Sequence, residues 1–353
     1  MDLLASNILS LSAEAAVLAE KGRIAFVNPA AAALLGADCV GKSVKDTLSP
    51  ELAETQAPAF IGDVPIGDKH YLVRVNRLDN AQLIFLSSAD TAPLFINDAL
   101  IFSANNMLNN MSMAVDSGMH KAEELGDKTL SACLRSITRS CYSLTRIISN
   151  AGTVRSIAEG KLILDKRMTD LSLLFGSLMD TVSKLYPKDI FSLNLGQNIC
   201  APVDCKLTMQ LLFNLVSNAI SHSTGCSKIS VSLFDNGESV VLSVSDNGSG
   251  IAPEELHRVF DRYKHGFNSG DMGKGAGLGL AVVRGVAQVH GGTLLIESRQ
   301  GQGTSVRVSI SKKADKPDIL WADDEIYCGQ IRSILTGLAD CLPADCFTEK
   351  YND

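Results

Sequence analysis

The sequence predicts a multidomain α+β protein, and three features of its 353 residues support that prediction. Strand-like and helix-like segments alternate in the first quarter, a long apolar helical repeat follows, and a third stretch mixes strands, helices and glycine clusters. These features predict a small α+β domain over 1–91, a two-helix hairpin over 92–165 and an α/β sandwich over 166–311. Residues 312–353 then form a linker and a further short segment.

In the first domain, Gly22 marks a hairpin turn before a strand at 24–27. Asn28 and Pro29 then open an alanine-rich helix that Gly36 closes. Residues 71–75 and 82–86 have the β-branched and apolar pattern of strands. The domain is therefore predicted to be a small sheet with short helices.

The hairpin is predicted from apolar residues that recur at alternating spacings of four and three. The turn between the two helices is predicted at Gly126, with Asp127 as N-cap. Two helices alone cannot bury both stripes, whereas a dimeric four-helix bundle can. The stripes consist of Ile101, Ala104, Leu108, Met111, Val115 and Gly118, and then Leu130, Leu134, Ile137, Cys141, Leu144, Ile148 and Ala151.

Composition excludes some classes of function. Acidic residues (39) outnumber basic ones (32), giving a net charge of −7, so binding of nucleic acid along a broad face is disfavoured. No segment approaches the roughly 18–20 unbroken apolar residues of a membrane helix, and the start lacks the features of a secretory signal. We therefore expect no membrane insertion and a cytoplasmic location. The nine scattered cysteines suit reduced thiols.

The chemistry-bearing residues begin with Asn214 and Asn218, four apart and hence on one helix face. A carboxamide oxygen suits Mg²⁺ when phosphates supply the other ligands. At 244–250 a strand ends in Asp246, and the glycines that follow let the backbone approach a ligand. The acid is suited to accept a hydrogen bond from an adenine amino group; a tight turn is the alternative interpretation.

A third piece, residues 273–281, is a glycine-rich helix start containing Lys274, a natural phosphate cradle. The strand that must precede such a loop in a dinucleotide-binding fold is absent, because 261–271 is polar and loop-like. A fourth piece, residues 301–304, is predicted as a turn between two strands. Order and spacing of the four pieces carry more information than any one of them.

Taken together, these pieces resemble the ATP-binding domain of sensor histidine kinases, part of the superfamily that also contains gyrase and MutL. The resemblance implies ATP and Mg²⁺ as cofactors, with Asn218 as the Mg²⁺ ligand and Asp246 as the adenine-binding acid. His222 lies where the family often has an aromatic near the adenine; an ordinary helix histidine is the alternative. The remaining residues assigned by the resemblance are Gly248, Gly250, Lys274, Gly275, Gly277, Leu278, Gly279 and Thr304, with Phe260 and Gly303 completing the pattern and Arg262 and Lys264 flanking the lid.

Three further segments extend the resemblance. Residues 20–36 resemble the start of a PAS sensor domain, and 155–162 resemble the junction after the dimerisation hairpin. Residues 318–325 resemble the first strand and acidic pair, Asp323 and Asp324, of a response-regulator receiver, with 318–322 read as a buried strand. The implied partners are a homodimer or heterodimer through the hairpin, and a response regulator or partner kinase.

Two residue identities bear on activity. In the ATP-hydrolysing relatives a glutamate acts as general base at the position of Asn214, and an asparagine cannot take up that proton. The phosphate-accepting histidine of the family aligns with Asn105, whose amide nitrogen is not nucleophilic. His120 is the one histidine in the hairpin, about 22 Å further along the helix at about 1.5 Å per residue.

The sequence thus predicts a two-component signalling protein with an ATP site and a replaced acceptor. It would phosphorylate a partner's histidine or act by conformation. The alternatives are autophosphorylation at His120, and a nucleotide-stabilised sensor or scaffold without kinase activity.

Overall fold

A ten-stranded sheet runs through the molecule in the order β2-β1-β5-β4-β3-β11-β12-β10-β9-β7, with every neighbouring pair antiparallel except β7 and β9. This computed structural model describes residues 12, 14–48, 52, 57, 59–67, 69–78, 81–88, 98–222, 225–256, 278–314, 320–327 and 330–347. Two further strands, β6 (Lys166–Asp170) and β8 (Cys200–Asp204), form a separate antiparallel pair.

The first five strands make an antiparallel sheet with short helices between β2 and β3. Its elements are β1 (Ala15–Glu20), β2 (Arg23–Val27), α1 (Pro29–Leu35), α2 (Val44–Thr47), β3 (Ala59–Ile66), β4 (Lys69–Leu78) and β5 (Ala81–Ser88).

The expected local elements of this part are confirmed. Lys21 and Gly22 both have positive φ in the β1–β2 turn, the conformation that a two-residue hairpin requires. The Asn28 side chain accepts a hydrogen bond from the Ala31 amide and caps α1, which Gly36 ends. Strands β1 and β3 are additional to those expected.

The hairpin consists of α3 (Asp98–Glu124) and α4 (Lys128–Ala158). The carboxylate of Asp127 accepts hydrogen bonds from the amides of Thr129 and Leu130, as expected of an N-cap. Helix α4 ends at Ala158, a turn earlier than the expected junction near 162, because the chain turns at Gly160 with φ 63°. The expected start of the first helix, at 92, lies outside the described residues.

Only part of the two predicted stripes is buried within one chain. Leu108, Val115, Cys141 and Ala151 are buried. The stripe residues Met111, Leu130, Ile137 and Leu144 are 41–46% exposed, and exposed apolar side chains elsewhere on α3 include Phe102 and Met107.

The third unit has helices packed on the other half of the sheet. Its elements are α5 (Leu171–Leu185), β7 (Phe191–Leu195), α6 (Cys205–His222), β9 (Ile229–Asp235), β10 (Ser239–Asp246), α7 (Pro253–Leu256), α8 (Gly279–Val289), β11 (Leu294–Arg299) and β12 (Gly303–Ser311), with β6 and β8 before α5 and α6. The expected turn between β11 and β12 is confirmed at 300–302.

The first and third units meet edge to edge, a joint that the sequence does not predict. Strand β3 pairs with β11, with Ile61 opposite Ile296. Asp63 on β3 is 1% exposed and accepts a 2.5 Å hydrogen bond from Nε of Arg284 on α8. The same carboxylate contacts Nδ1 of His70 at 2.5 Å and Nε2 of Gln288 at 3.1 Å. The joint therefore contains a buried ion pair beside continuous sheet.

The C-terminal segment differs from expectation. The buried strand expected at 318–322 is wrong for its described residues: Leu320 is 74% and Trp321 63% exposed, and Trp321 forms only an isolated bridge to Met168. Strand β6 is paired with β8 along its other edge. Residues 320–322 therefore contact a strand along one edge only.

The segment after it does pack. Helix α9 (Ile331–Gly337) and the residues that follow it bury Ile334, Leu335 and Phe347 in the same core as α6. Gly337 lies directly against the ring of Phe213 on α6.

Candidate functional site

Asn214 lies on the buried side of α6, and its amide makes three hydrogen bonds to the hairpin and one within α6. The side chain is 1% exposed. Its Oδ1 accepts hydrogen bonds from Arg146 Nη2 at 3.0 Å and Asn150 Nδ2 at 3.1 Å. Its Nδ2 donates to Asn150 Oδ1 at 3.2 Å and to the Gln210 carbonyl at 2.9 Å. Asn214, expected among the catalytic residues, thus joins the third unit to α4.

Asn218 lies one turn further along α6, beside the start of α8. A Cβ placed on Gly279, the first residue of α8, would lie 3.2 Å from Asn214 Oδ1 and 3.5 Å from Asn218 Oδ1. The Asn218 carboxamide is half-buried and makes no hydrogen bond to the residues the structure describes. The structure therefore brings Asn214, Asn218, Leu278 and Gly279 together, with a helix N-terminus facing two amide oxygens.

A second group forms where β10 ends. Asp246 is half-buried, pairs with Thr304 across the β10–β12 ladder and accepts a hydrogen bond from the Gly248 amide at 2.9 Å. A Cβ on Gly250 would lie 2.1 Å from the Arg299 carbonyl oxygen. Gly250 thus allows close approach of protein backbone, where the sequence suggested approach to a ligand.

Gly303 has the same kind of role. With φ 90°, it lies so close to β10 that an added Cβ would be 1.9 Å from the Asp246 carbonyl oxygen. Ser298 Oγ accepts from the Ile251 amide at 2.8 Å and contacts Thr304 Oγ1 at 2.9 Å. The β11–β12 turn is therefore fixed against the loop that carries Asp246.

Several predicted residues fall elsewhere. His222 is the exposed last residue of α6. Lys274, Gly275 and Gly277, together with Phe260, Arg262 and Lys264, lie outside the described residues.

The donors in the described part fit ATP with Mg²⁺. Gly279 keeps the space in front of two amide oxygens that a side chain would fill, and Asn218 offers a hard oxygen with no hydrogen-bond donor on it from the described residues. No cluster of three or more His, Cys, Asp or Glu suited to a metal occurs within the described ranges.

The hairpin register relates this site to the two acceptor candidates. A Cβ on Gly118 would contact Leu134, and one on Gly152 would contact Ile101. These two contacts fix the register of the antiparallel helices. In that register Asn105 of α3 is level with Ile148 of α4, which lies between Arg146 and Asn150 in the sequence. The site thus contacts the hairpin at the level of Asn105.

His120 is at the other end of the hairpin. Its side chain is 71% exposed, and its Nε2 lies 3.4 Å from Glu124 Oε1.

Arg146 and Asn150 were missed by sequence reasoning, which treated α4 as an apolar stripe. The available signal was a pair of polar residues four apart, on the face of α4 opposite the apolar stripe. Such a pair is equally typical of a solvated helix face, so it does not by itself identify a partner.

Comparison with known proteins finds relatives for part of the chain. Residues 204–314 match the family described as histidine kinase-, DNA gyrase B-, and HSP90-like ATPase. Sensor-like histidine kinase SenX3 of Mycobacterium tuberculosis is 40% identical over 108 residues, which are 30% of this chain and 26% of that protein. Sensor histidine kinase YvrG of Bacillus subtilis is 27% identical over 173 residues, 48% of this chain and 30% of that protein. These matches support a histidine kinase family, with 204–314 as its ATPase domain.

The chain spans less than a third of the length of those curated relatives. Among solved structures, histidine kinase AdeS of Acinetobacter baumannii aligns with a TM-score of 0.42 and 20% identity, over 59% of this chain and 98% of that one. In the parts of the chain that are described, no helix is long and apolar enough to cross a membrane.

Proposed function

We propose that this chain is a two-component signalling protein that binds ATP·Mg²⁺ and couples a sensed signal to phosphoryl transfer or to a conformational output. The observation that carries the proposal is the juxtaposition of Asn214, Asn218 and the start of α8 at Gly279. A helix N-terminus facing amide oxygens suits a phosphate–Mg²⁺ group.

Each residue has a distinct part in this proposal. Asp246 accepts a hydrogen bond from the adenine amino group, held in place by its contacts to Gly248 and β12. Asn218 supplies an oxygen to Mg²⁺, and the first amides of α8 face the phosphates. When bound, Mg²⁺ neutralises phosphate charge. His222, exposed at the end of α6, borders the site on the adenine side in this assignment.

The phosphate acceptor lies on another chain in this proposal. Asn105 stands at the level of the hairpin that the nucleotide-binding unit contacts, but its amide is not nucleophilic. A histidine of a heterodimer partner would then receive the phosphoryl group, and a response regulator or partner kinase would follow. Autophosphorylation at His120 is disfavoured, because that residue is about 22 Å from the level of Asn105 at about 1.5 Å per residue.

The assembly and sensing parts are also proposals. The exposed apolar side chains of α3 and α4 support a dimer through the hairpin. A four-helix bundle of two hairpins can bury the apolar side chains that one hairpin leaves exposed. The five-stranded antiparallel sheet with inserted helices supports a PAS-like sensor role for 1–91. The eight described cysteines are free thiols, which supports a reducing compartment such as the cytoplasm.

One observation favours a second function, that of a nucleotide-stabilised scaffold without kinase activity. One hydrogen bond from the Asn214 amide nitrogen and two to its oxygen attach α6 to the hairpin, and the second bond from the nitrogen goes to the Gln210 carbonyl of α6 itself. A unit attached in this way suits a structural response to nucleotide.

Labelling with γ-labelled ATP tests both functions. The wild-type chain should acquire no acid-labile label, whereas Asn105→His restores an imidazole nucleophile and should acquire it. His120→Ala is the control; loss of wild-type label in that variant would establish His120 as acceptor. No label on Asn105→His, despite ATP binding, would favour the scaffold.

Nucleotide binding itself is tested by thermal stabilisation. ATP·Mg²⁺ at a hundredfold excess over Kd should stabilise the chain by about 2.7 kcal/mol. Asp246→Ala should abolish the shift. An unchanged shift would contradict the adenine assignment.

A further inference from the structure

Arg146 belongs to the hairpin, yet it reaches the candidate nucleotide site. Its Nη2 donates to Asn214 Oδ1 at 3.0 Å, and its side chain is only 11% exposed. That same oxygen lies 3.2 Å from the Cβ position of Gly279, the first residue of α8. Asn214 Oδ1 therefore lies between the Arg146 guanidinium and the start of α8, which faces the phosphates in the proposed function.

The described walls of the site are otherwise poor in positive charge. Along α6, no Lys or Arg follows Lys206 in the first turn. Helix α8 contains one, Arg284, which is tied to Asp63 at the joint with the first unit. A terminal phosphate carries more charge than either inner phosphate, and its oxygens match the planar donors of a guanidinium. Arg146, which is on α4, is the cationic side chain that contacts Asn214 in the described part of the site.

The guanidinium is also held in a fixed orientation. Asp340, in the C-terminal segment, accepts a hydrogen bond from Arg146 Nη1 at 2.9 Å. With Nη2 on Asn214, the described contacts use two of five N–H donors. An arginine anchored by a carboxylate on one side presents its other donors without further loss of side-chain freedom.

A purely structural role has to be weighed against this one. Arg139, two turns earlier on the same face of α4, donates to the carbonyls of Ala339 and Asp340 at 3.0 and 2.9 Å. Arg139 thus docks the same C-terminal segment without touching Asn214. It is a matched control for the docking function.

We propose that Arg146 binds the terminal phosphate of ATP, so that the second helix of the hairpin completes the nucleotide site. This proposal rests on the proposed function, since it assumes that α6 and α8 bind ATP. It makes the site sensitive to the position of the hairpin. ADP, lacking the terminal phosphate, does not make this contact.

The test compares ATP with ADP. Binding of a non-hydrolysable β,γ-imido ATP analogue and of ADP, each with Mg²⁺, is measured by calorimetry on the full chain. Since a charge-assisted hydrogen bond contributes about 1.5–3 kcal/mol, Arg146→Gln should weaken the analogue about 10- to 100-fold. ADP affinity should change much less. Arg139→Gln should leave the ratio of the two affinities at its wild-type value.

Equal weakening of both nucleotides by Arg146→Gln, or no weakening of either, would overturn the proposal. A changed ratio in Arg139→Gln would do the same, since docking alone would then explain the effect. If Asp246→Ala leaves both affinities untouched, or the wild-type chain binds neither nucleotide, it is the proposed function that fails.

A measurement on the unmodified chain covers the case in which Arg146→Gln does not fold. An arginine-selective dicarbonyl reagent is applied with the imido analogue or with ADP, and modified peptides are mapped by mass spectrometry. The analogue should protect Arg146 from modification more strongly than ADP does. Arg139 should be modified to the same extent with either nucleotide. Equal protection of Arg146 by both nucleotides would overturn the proposal.

Discussion

Removing either charge of the Asp63–Arg284 pair should destabilise the joint between the first and third units. Asp63 is 1% exposed and the Arg284 side chain 6%, so removing either group takes an oppositely charged partner away from a buried charge. Breaking a buried pair in this way costs about 3–5 kcal/mol. Asp63→Leu and Arg284→Met should each lose stability of that order, through the joint and not through the hairpin.

The double variant gives the sharper expectation. Replacing a buried ion pair by apolar residues of similar volume is often neutral or stabilising, so Asp63→Leu with Arg284→Met should lose far less than either single change. The half-buried side chains of His70 and Gln288, which lose Asp63 as a partner in the double variant, can then form hydrogen bonds to water. Urea unfolding reports the free energies, and hydrogen exchange of the β3 and β11 amides localises the effect.

Acid provides an independent measurement of the same pair. Burial alone would raise the pKa of Asp63, but the hydrogen bond from His70 and the charge of Arg284 outweigh it and hold that pKa below its ordinary value. A group with a lowered folded-state pKa stabilises the fold above its unfolded-state value of about 3.9, and this contribution disappears as pH falls further. The wild type should therefore lose stability below about pH 4 more steeply than the double variant.

Two results would refute this reasoning. One is a loss below about 1 kcal/mol in both single variants, which is the range of an exposed pair. The other is a double variant whose loss equals that of the two singles combined, which would mean that the groups do not interact.

Three further predictions follow from local geometry. Gly303→Ala should lose more stability in chemical denaturation than Gly301→Ala. Both glycines have a left-handed φ, which costs an alanine about 1–3 kcal/mol, but only at 303 would the new Cβ meet a carbonyl oxygen. Equal losses in the two variants would contradict this clash. Asp127→Ala should lower stability by about 0.5–2 kcal/mol in thermal melts, through loss of the α4 cap; an unchanged melting temperature would show that the cap is dispensable. Ile137→Glu with Leu144→Glu should convert a hairpin dimer to monomer in sedimentation, and a surviving dimer would point to another interface.

The elements that sequence predicts well are those with local signals. The turn at Gly22, the caps at Asn28 and Asp127 and the turn before Gly303 depend on residues within four positions of the feature. Such signals need no knowledge of the rest of the chain. Strand β3 has none, because Gly62, Asp63 and Pro65 interrupt its pattern and are common in loops.

Long-range pairing explains the rest. Asp63 is acceptable inside a strand only because Arg284 lies beside it, and nothing near residue 63 records that partner. For the candidate site, motif spacing predicts roles for Asn218 and Asp246, whose neighbours are on the same unit; these roles stay predictions. Arg146 and Asn150 come from the preceding hairpin, so only the packing of α4 on α6 reveals them.

The β3–β11 pairing also has a consequence for solubility. While paired, the two strands cover each other's backbone N–H and C=O groups. Separation would leave two unprotected edges carrying Phe60, Ile61, Leu295 and Ile296, apolar and β-prone, and such edges recruit strands from other molecules. Parting the first and third units would therefore create a self-associating surface, so the closed β3–β11 pairing protects the protein against aggregation.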